Sequence, residues 1–176
     1  MRPMIVVLVM FAAAILVGGG LFAFGPSALR EPVAFEGEAS ALSADVASDV
    51  PFAVIAEGNA ESVTERKNYA AYTEEDFERL WVMAYGEEAE EMPPVDFDEE
   101  YVIGVFAGEK PSGGHGIRVE SITDEDALRK IAIAIERPEE SCATTAAVTS
   151  PFQIVTAPFT DRELARAETE VTVACE

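Results

Sequence analysis

One loop of the sequence carries most of the side chains that could take part in chemistry. Residues 106–119 read FAGEKPSGGHGIRV and place Lys110, Ser112 and His115, the only histidine of the 176-residue chain, among glycines. A lysine and a serine among glycines could hold a phosphate, and a serine beside a histidine could act as nucleophile and base. The same composition is also typical of a tight turn between two strands.

The order of the residues argues against each kind of catalytic or metal site. Lys110 precedes the glycines instead of following them, so the GxxxxGK[ST] pattern of a phosphate loop is absent, and Ser112 does not stand in GxSxG. Two cysteines and one histidine cannot complete a four-ligand zinc site. The carboxylates of residues 96–100 alternate, but Tyr101 occupies the position where a calcium loop needs glycine. We therefore expect neither an enzyme nor a cofactor.

The loop is better interpreted as the tip of a hairpin. Pro111 pre-sets φ for the second position of a type I turn, and Gly113 supplies a positive φ. A tip with so many glycines lets another backbone approach closely, which suits a docking loop for a partner protein over residues 109–116. A hairpin connection without a partner is the alternative that these residues leave open. The predicted partner-binding residues are Lys110, Pro111, Ser112, Gly113, Gly114 and His115.

Residues 1–25 are predicted to hold a membrane helix. From Met4 to Phe24 the chain has no charged side chain, and a membrane-spanning helix needs about 20 apolar residues. Arg2 marks the N-terminal side as cytoplasmic, because Lys and Arg favour that flank. We predict an uncleaved, single-pass signal anchor in the cell membrane, with the rest of the chain outside the cytoplasm. A cleaved signal peptide, which would leave a secreted protein, is the alternative.

The remaining chain divides into a tether and a domain. Residues 26–49 are rich in Ala, Ser, Glu and Asp and contain one aromatic residue, Phe35, which is typical of a linker. Residues 50–176 alternate apolar and polar stretches and form the predicted folded domain.

The composition is strongly acidic. The chain has 33 Asp and Glu against 12 Lys and Arg, a net charge of −21. Such a charge argues against nucleic acid and an anionic lipid surface as partners. The acids are spread along the whole domain, which favours adaptation to a salty environment over a dedicated acidic docking surface.

One helix is predicted before the central strands. Thr73 is a suitable N-cap, and the three acids that follow it suit the positive start of a helix. Gly86 ends the pattern. The apolar stripe at helical spacing predicts a core-facing side made of Phe77, Leu80, Trp81 and Ala84.

The rest of the domain is predicted to be mainly β. Tyr101–Ala107 is apolar on both faces, so it should be a buried central strand. The regular spacing of short strands, without helices between them, predicts an antiparallel β-sandwich or a small barrel. The predicted strands are 51–58, one within 62–72, 101–107, 117–122, 131–136, 146–148, 152–157 and 169–175.

The two cysteines, Cys142 and Cys175, lie in the part predicted to be exported, where an oxidising compartment permits a disulfide. The bridge would stabilise the domain by about 3–4 kcal/mol in the chain-entropy model. Two separate buried thiols are the alternative.

Several stretches together resemble a known family, the C-terminal domain of PrcB, an accessory subunit of a secreted bacterial protease complex. They are TEEDFERLW at 73–81, PPVDFDEEYVIGVFAGEKPSGGHGIRVESI at 93–122 and ERPEESCATTAAVTSPFQIV at 136–155. The family pattern P-x-[VI]-D-F, a strand, then G-x-[KR]-P-[ST]-G-G-[YH]-x-[IV]-x-[IV] falls here on Pro93, Val95, Asp96, Phe97, Gly108, Lys110, Pro111, Ser112, Gly113, Gly114, Ile117 and Val119. His115 stands where the family usually has tyrosine.

The resemblance implies a non-catalytic domain that helps to assemble or stabilise a protein complex, with a protease as the expected partner. The loop also resembles the glycine-rich loop with which chagasin-type inhibitors enter the cleft of cysteine proteases. A protease inhibitor that uses the same loop is therefore the alternative function.

Overall fold

The structure is a computed structural model that describes residues 33–34, 47–60, 62–86, 89 and 91–174. This part of the chain forms nine strands and one helix. In chain order they are β1 (Val33–Ala34), β2 (Ser48–Val50), β3 (Ala53–Asn59), β4 (Lys67–Ala71), α1 (Glu74–Tyr85), β5 (Glu100–Phe106), β6 (Gly116–Glu125), β7 (Leu128–Pro138), β8 (Pro151–Pro158) and β9 (Glu163–Val173).

The strands make two sheets that pack against each other. Sheet A has the order β1-β4-β5-β8-β3, and sheet B has the order β2-β6-β7-β9. The prediction of a mainly β fold with one helix is confirmed for the described residues, but the small barrel is wrong, because neither sheet closes on itself. The sandwich is also not wholly antiparallel. β7 and β9 run parallel, from the pair Leu128 and Glu163 to the pair Pro138 and Val173.

β5 lies in the middle of sheet A and is buried on both faces, as its sequence predicts. Tyr101, Ile103 and Val105 point toward sheet B and join its apolar residues in one core. Val102 and Phe106 point to the opposite face and pack with the helix in a second core. The domain therefore has three layers, helix on sheet A on sheet B, and β5 supplies side chains to both interfaces between them.

The helix begins and ends where the sequence predicts. Thr73 Oγ1 accepts a hydrogen bond of 3.2 Å from the Asp76 N–H, and Gly86 ends the helix with φ of 80°. The predicted apolar stripe is buried against sheet A. The contact requires glycine on the sheet, because a Cβ at Gly104 would lie 2.7 Å from Leu80 Cδ1. The helix and the central strand thus pack closely against each other.

Four elements differ from the sequence prediction. Residues 146–148 are not a strand, and β9 begins at Glu163, six residues before the predicted start at 169. Two short strands begin inside the predicted tether: β1 pairs with β4, and β2, which continues to Val50, pairs with β6. These short strands form by pairing with strands that are distant in the chain. Local residue patterns do not reveal such pairing.

The predicted membrane helix, Met4–Phe24, lies outside the described residues and stays a prediction. Within the described ranges, no helix is both long enough and apolar enough to span a bilayer.

Candidate functional site

The glycine-rich loop joins the two sheets instead of closing a hairpin. β5 pairs with β4 and β8 in sheet A, whereas β6 pairs with β2 and β7 in sheet B. The predicted hairpin of two paired strands is therefore wrong. The physical reason is that β5 is central and already has a strand on each side, so the chain after residue 107 must cross to the other sheet.

The loop is held by the connection between β7 and β8. Lys110 and Thr149 exchange two main-chain hydrogen bonds of 2.7 and 3.1 Å, and the Gly113 N–H donates to the Thr145 carbonyl at 3.0 Å. Thr149 Oγ1 also donates to the Ser112 carbonyl at 2.9 Å. Two connections that are distant in the chain thus lie side by side at one end of the sandwich.

The glycines of the loop fit this neighbouring connection closely. A Cβ at Gly113 would lie 2.5 Å from Thr145 Oγ1. Gly114 has φ of 81°, and a Cβ there would lie 3.2 Å from Pro138 Cβ. The sequence predicts that these glycines leave room for a partner. Their immediate role is to let the loop pack against its own domain.

The six predicted partner-binding residues lie together but differ in exposure. Pro111 and Gly114 are exposed, and the other four are partly buried. The Lys110 side chain makes no ion pair with any residue in the described ranges. Their contact with a partner stays a prediction.

The sequence analysis missed the second half of this surface. All side chains of Ala143–Val148 are exposed, and Val148 is 68% exposed. The signal was present, because no charged residue occurs between Glu140 and Asp161 in a chain with 33 acids. We call the surface formed by residues 110–115 and 143–149 the loop surface.

His115 lies where the loop surface meets a groove. Burial lowers the pKa of its imidazole, and the nearby charges of Lys110 and Arg137 lower it further. Its Nδ1 is buried and has no hydrogen-bond partner among the described residues. The neutral ring is therefore favoured, in a position between the loop and the groove.

The groove has a volume of about 480 Å³ and opens to solvent. It lies between β3 at the edge of sheet A and the first residues of β6 in sheet B. Its lining includes Glu57, Gly58, His115, Ile117, Glu136 and Gln153.

The described residues show no catalytic arrangement at the loop. Ser112 Oγ donates to the Gly113 carbonyl at 3.2 Å, and no described side chain is bonded to it as a base. In the same ranges, no group of three or more His, Cys, Asp or Glu side chains is arranged to hold a metal ion.

Cys142 follows β7 in a turn that lies against the end of β9. The Cys142 N–H donates to the Glu139 carbonyl at 2.9 Å, and the Glu139 N–H donates to the Val173 carbonyl at 3.0 Å. The turn thus lies beside a residue only two positions before Cys175. Cys175 itself is outside the described ranges, so the disulfide stays a prediction.

Part of the chain matches a known family. A family model described as PrcB C-terminal matches residues 101–158, which confirms the resemblance seen in the sequence. The matched region runs from β5 to the end of β8 and contains the whole loop surface. No curated protein and no solved structure matches the chain significantly.

Proposed function

We propose, from the match of residues 101–158 to the PrcB C-terminal family, that this chain is a non-catalytic binding subunit of a protein complex. The family suggests a protease-associated domain, so a secreted or membrane protease is the partner we expect. Residues 109–116 provide the docking loop, as the sequence predicts, and residues 143–149 extend it.

The observation that carries the proposal is the charge of the loop surface. The chain has a net charge of −21, yet residues 141–149 are uncharged, and Lys110 is the one Lys, Arg, Asp or Glu among residues 110–117. A partner that docks here buries small side chains without burying acids, which would be costly. Main-chain hydrogen bonds already hold both segments in place before a partner binds. Binding should therefore cost little conformational entropy in these segments.

The membrane anchor completes the proposal. If Met4–Phe24 spans the membrane, the domain is held outside the cytoplasm near other surface proteins. Tethering raises the effective concentration of the domain for such a partner without any new contact.

The test is crosslinking in intact membranes of cells that make the full-length chain, followed by identification of the captured protein. Ala146→Arg places a large cation on the loop surface, and we expect it to reduce capture of the partner at least tenfold. Ala127→Arg is the matched control, because Ala127 is also exposed but lies in the turn between β6 and β7 at the opposite end. Equal capture by both variants and the wild type would show that the loop surface does not dock.

Ala146→Arg is a better test than a change in the glycines. Gly114→Val, which the sequence suggests, would force a β-branched residue into φ of 81° and against Pro138. That variant would disturb the loop itself, so a loss of capture would not report on docking alone.

The same experiment distinguishes the alternative function. If the captured partner is a protease, its activity is measured with and without the full-length chain. Complex formation with unchanged activity supports the accessory role, and complex formation with loss of activity supports an inhibitor.

A further inference from the structure

The outer edge of β6 is only partly covered. β2 pairs with β6 over residues 122–124 and no further, because the chain then crosses to sheet A as β3. Residues 116–121 of β6 have no strand beside them on that edge within the described part of the chain. The groove lined by Ile117 and Arg118 therefore lies beside a stretch of β6 that no described strand covers, in line with β2.

The main chain of β6 points polar groups outward along that uncovered stretch. The Val119 N–H donates to the side-chain Oε1 of Gln153 at 2.9 Å, so it faces away from β7. Ile117 lies two residues earlier, before the register shift between Val119 and Ser121, and so has the same orientation. Ile117 and Val119 thus present the N–H and C=O groups that an added strand would pair with.

Gln153 occupies the place of a missing strand. Its side chain comes from β8 of the other sheet and is 5% exposed. Its Oε1 supplies to Val119 the acceptor that a neighbouring strand's carbonyl would supply. Its Nε2 donates to Glu57 at 3.3 Å, so the amide joins the edges of the two sheets.

The groove beside this edge carries a net negative charge. Arg118 pairs with Glu136, which leaves Glu57 as an exposed carboxylate. Among the described residues, Glu57 accepts a side-chain hydrogen bond only from Gln153. A cationic side chain placed here would therefore complete the pairing of charges.

We propose that this groove binds an extended segment of a partner protein, which adds to sheet B as a strand antiparallel to β6 and places a lysine or arginine beside Glu57. The added strand continues the line of β2 and pairs with Ile117 and Val119, taking over the hydrogen bond that Gln153 makes. Main-chain pairing supplies affinity in this mode of recognition, and side-chain contacts supply specificity. The inference rests on the proposed binding function, because the groove begins at His115 and so adjoins the loop surface.

The first experiment needs no knowledge of the partner. Purified full-length chain in detergent micelles is used to select from a phage-displayed library of random peptides, each about the length of one strand. We expect the selected peptides to share β-branched residues at alternate positions and one lysine or arginine. Hydrogen exchange with a selected synthetic peptide should slow at the amides of Ile117 and Val119.

Charge variants test the position of the segment. Glu57→Lys should weaken peptide binding at least tenfold, and Glu57→Gln should weaken it less. Glu163→Lys is the matched control, because Glu163 is exposed at the start of β9, away from the groove, and it should leave binding unchanged. Thermal unfolding of each variant shows whether it is folded.

Gln153→Met tests the role of the amide. The variant keeps the size of the side chain but removes the acceptor, so the Val119 amide should exchange faster without peptide. Peptide should bind this variant more tightly than the wild type, because no hydrogen bond must be displaced.

The proposal is overturned if no peptide is enriched, if selected peptides bind Glu57→Lys as tightly as the wild type, or if protection from exchange excludes Ile117 and Val119. These results leave the proposed function intact when Ala146→Arg still reduces capture of the partner at least tenfold. Loss of the proposed function would instead appear as equal capture by Ala146→Arg, whatever the peptides show.

Discussion

Arg129 is bonded to both sheets of the domain. It is 4% exposed, and it donates two hydrogen bonds of 2.7 and 2.9 Å to the Asp124 carboxylate and a third to the Pro158 carbonyl. The hydrogen bonds that Arg129 donates to the Asp124 carboxylate lower the pKa of Asp124, and the charge of Arg162 lowers it further. One side chain thus joins the hairpin of sheet B to the end of β8 in sheet A.

Asp124→Ala should destabilise the domain by about 3–5 kcal/mol, because it leaves a buried guanidinium without its carboxylate. Urea unfolding at pH 7 measures the effect, with the exposed Asp161→Ala as control. The wild type should also lose this stabilisation in acid. Because the folded pKa of Asp124 is lowered, its contribution is present above the unfolded value of about 3.9 and is lost as the pH falls through the folded value. An acid midpoint that is the same in wild type and Asp124→Ala would contradict this.

Tyr101 should make the stability of the domain depend on pH in the opposite direction, with a loss at high pH. Burial raises its pKa to about 12, against a smaller lowering by Arg129, and its hydroxyl has no hydrogen-bond partner among the described residues. Between its unfolded pKa, about 10, and its folded pKa, only the unfolded chain loses this proton, so stability should fall as the pH rises through this range.

Tyr101→Phe should therefore reduce the loss of stability above about pH 10, and at neutral pH it should be neutral or stabilising by up to about 1 kcal/mol, because it removes an unpaired buried hydroxyl. Urea unfolding at about pH 7 and about pH 10.5 tests both points, with the partly exposed Tyr85→Phe as control. A destabilisation above about 2 kcal/mol at neutral pH would show that the hydroxyl is paired in solution.

At the scale of elements, the sequence predicted what depends on nearby residues. The cap at Thr73, the apolar stripe of α1 and the two-sided burial of Tyr101–Ala107 all follow from local spacing, and the structure confirms them. The hairpin at 109–116 was wrong, because the pairing of a strand depends on residues far away in the chain. The sequence could show that β5 is central, but not that its next neighbour is β8 instead of β6.

For the same reason, the sequence predicted residues 110–115 of the candidate site but missed residues 143–149. Residues 110–115 carry turn residues that stand out in the sequence. Ala143–Val148 has no motif, and it joins the site only through the pairing of Lys110 with Thr149, its neighbour in space but not in the chain. The groove beside β6 depends on where β2 ends, and β2 lies in a stretch whose composition indicates a linker.

The connection between β7 and β8 should depend on the predicted disulfide. We expect intact mass measurement to show the chain lighter than its fully reduced form by the mass of two hydrogen atoms. Cys142→Ser should cost about 3–4 kcal/mol in urea unfolding, and amide exchange should accelerate in residues 143–149 more than in β5. A mass equal to that of the reduced chain would favour two free thiols instead.

At the scale of the whole molecule, charge should govern stability. The described domain carries several exposed ion pairs, but the chain as a whole has a net charge of −21, so repulsion between acids opposes the compact state. Salt screens both the attraction within ion pairs and the repulsion between acids. Because acids far outnumber basic residues, the repulsion is the larger of these two effects.

The urea midpoint should therefore rise when the salt concentration is increased from about 0.05 M to about 1 M. Sodium chloride and potassium chloride should act alike, because screening depends on ionic strength rather than on the ion. A midpoint that falls with salt would show that ion pairs such as Arg66 with Glu168 outweigh the repulsion.

The parallel pairing of β9 with β7 determines when the domain can be completed during synthesis. Every strand of sheet A has been synthesised once Pro158 is added, whereas β7 must wait for residues 163–173 to receive its second neighbour. A chain that ends prematurely after β8 would keep sheet A whole and leave one side of β7 exposed along its full length, where another such chain could pair with it. We therefore expect the last strand to protect the newly made protein against self-association.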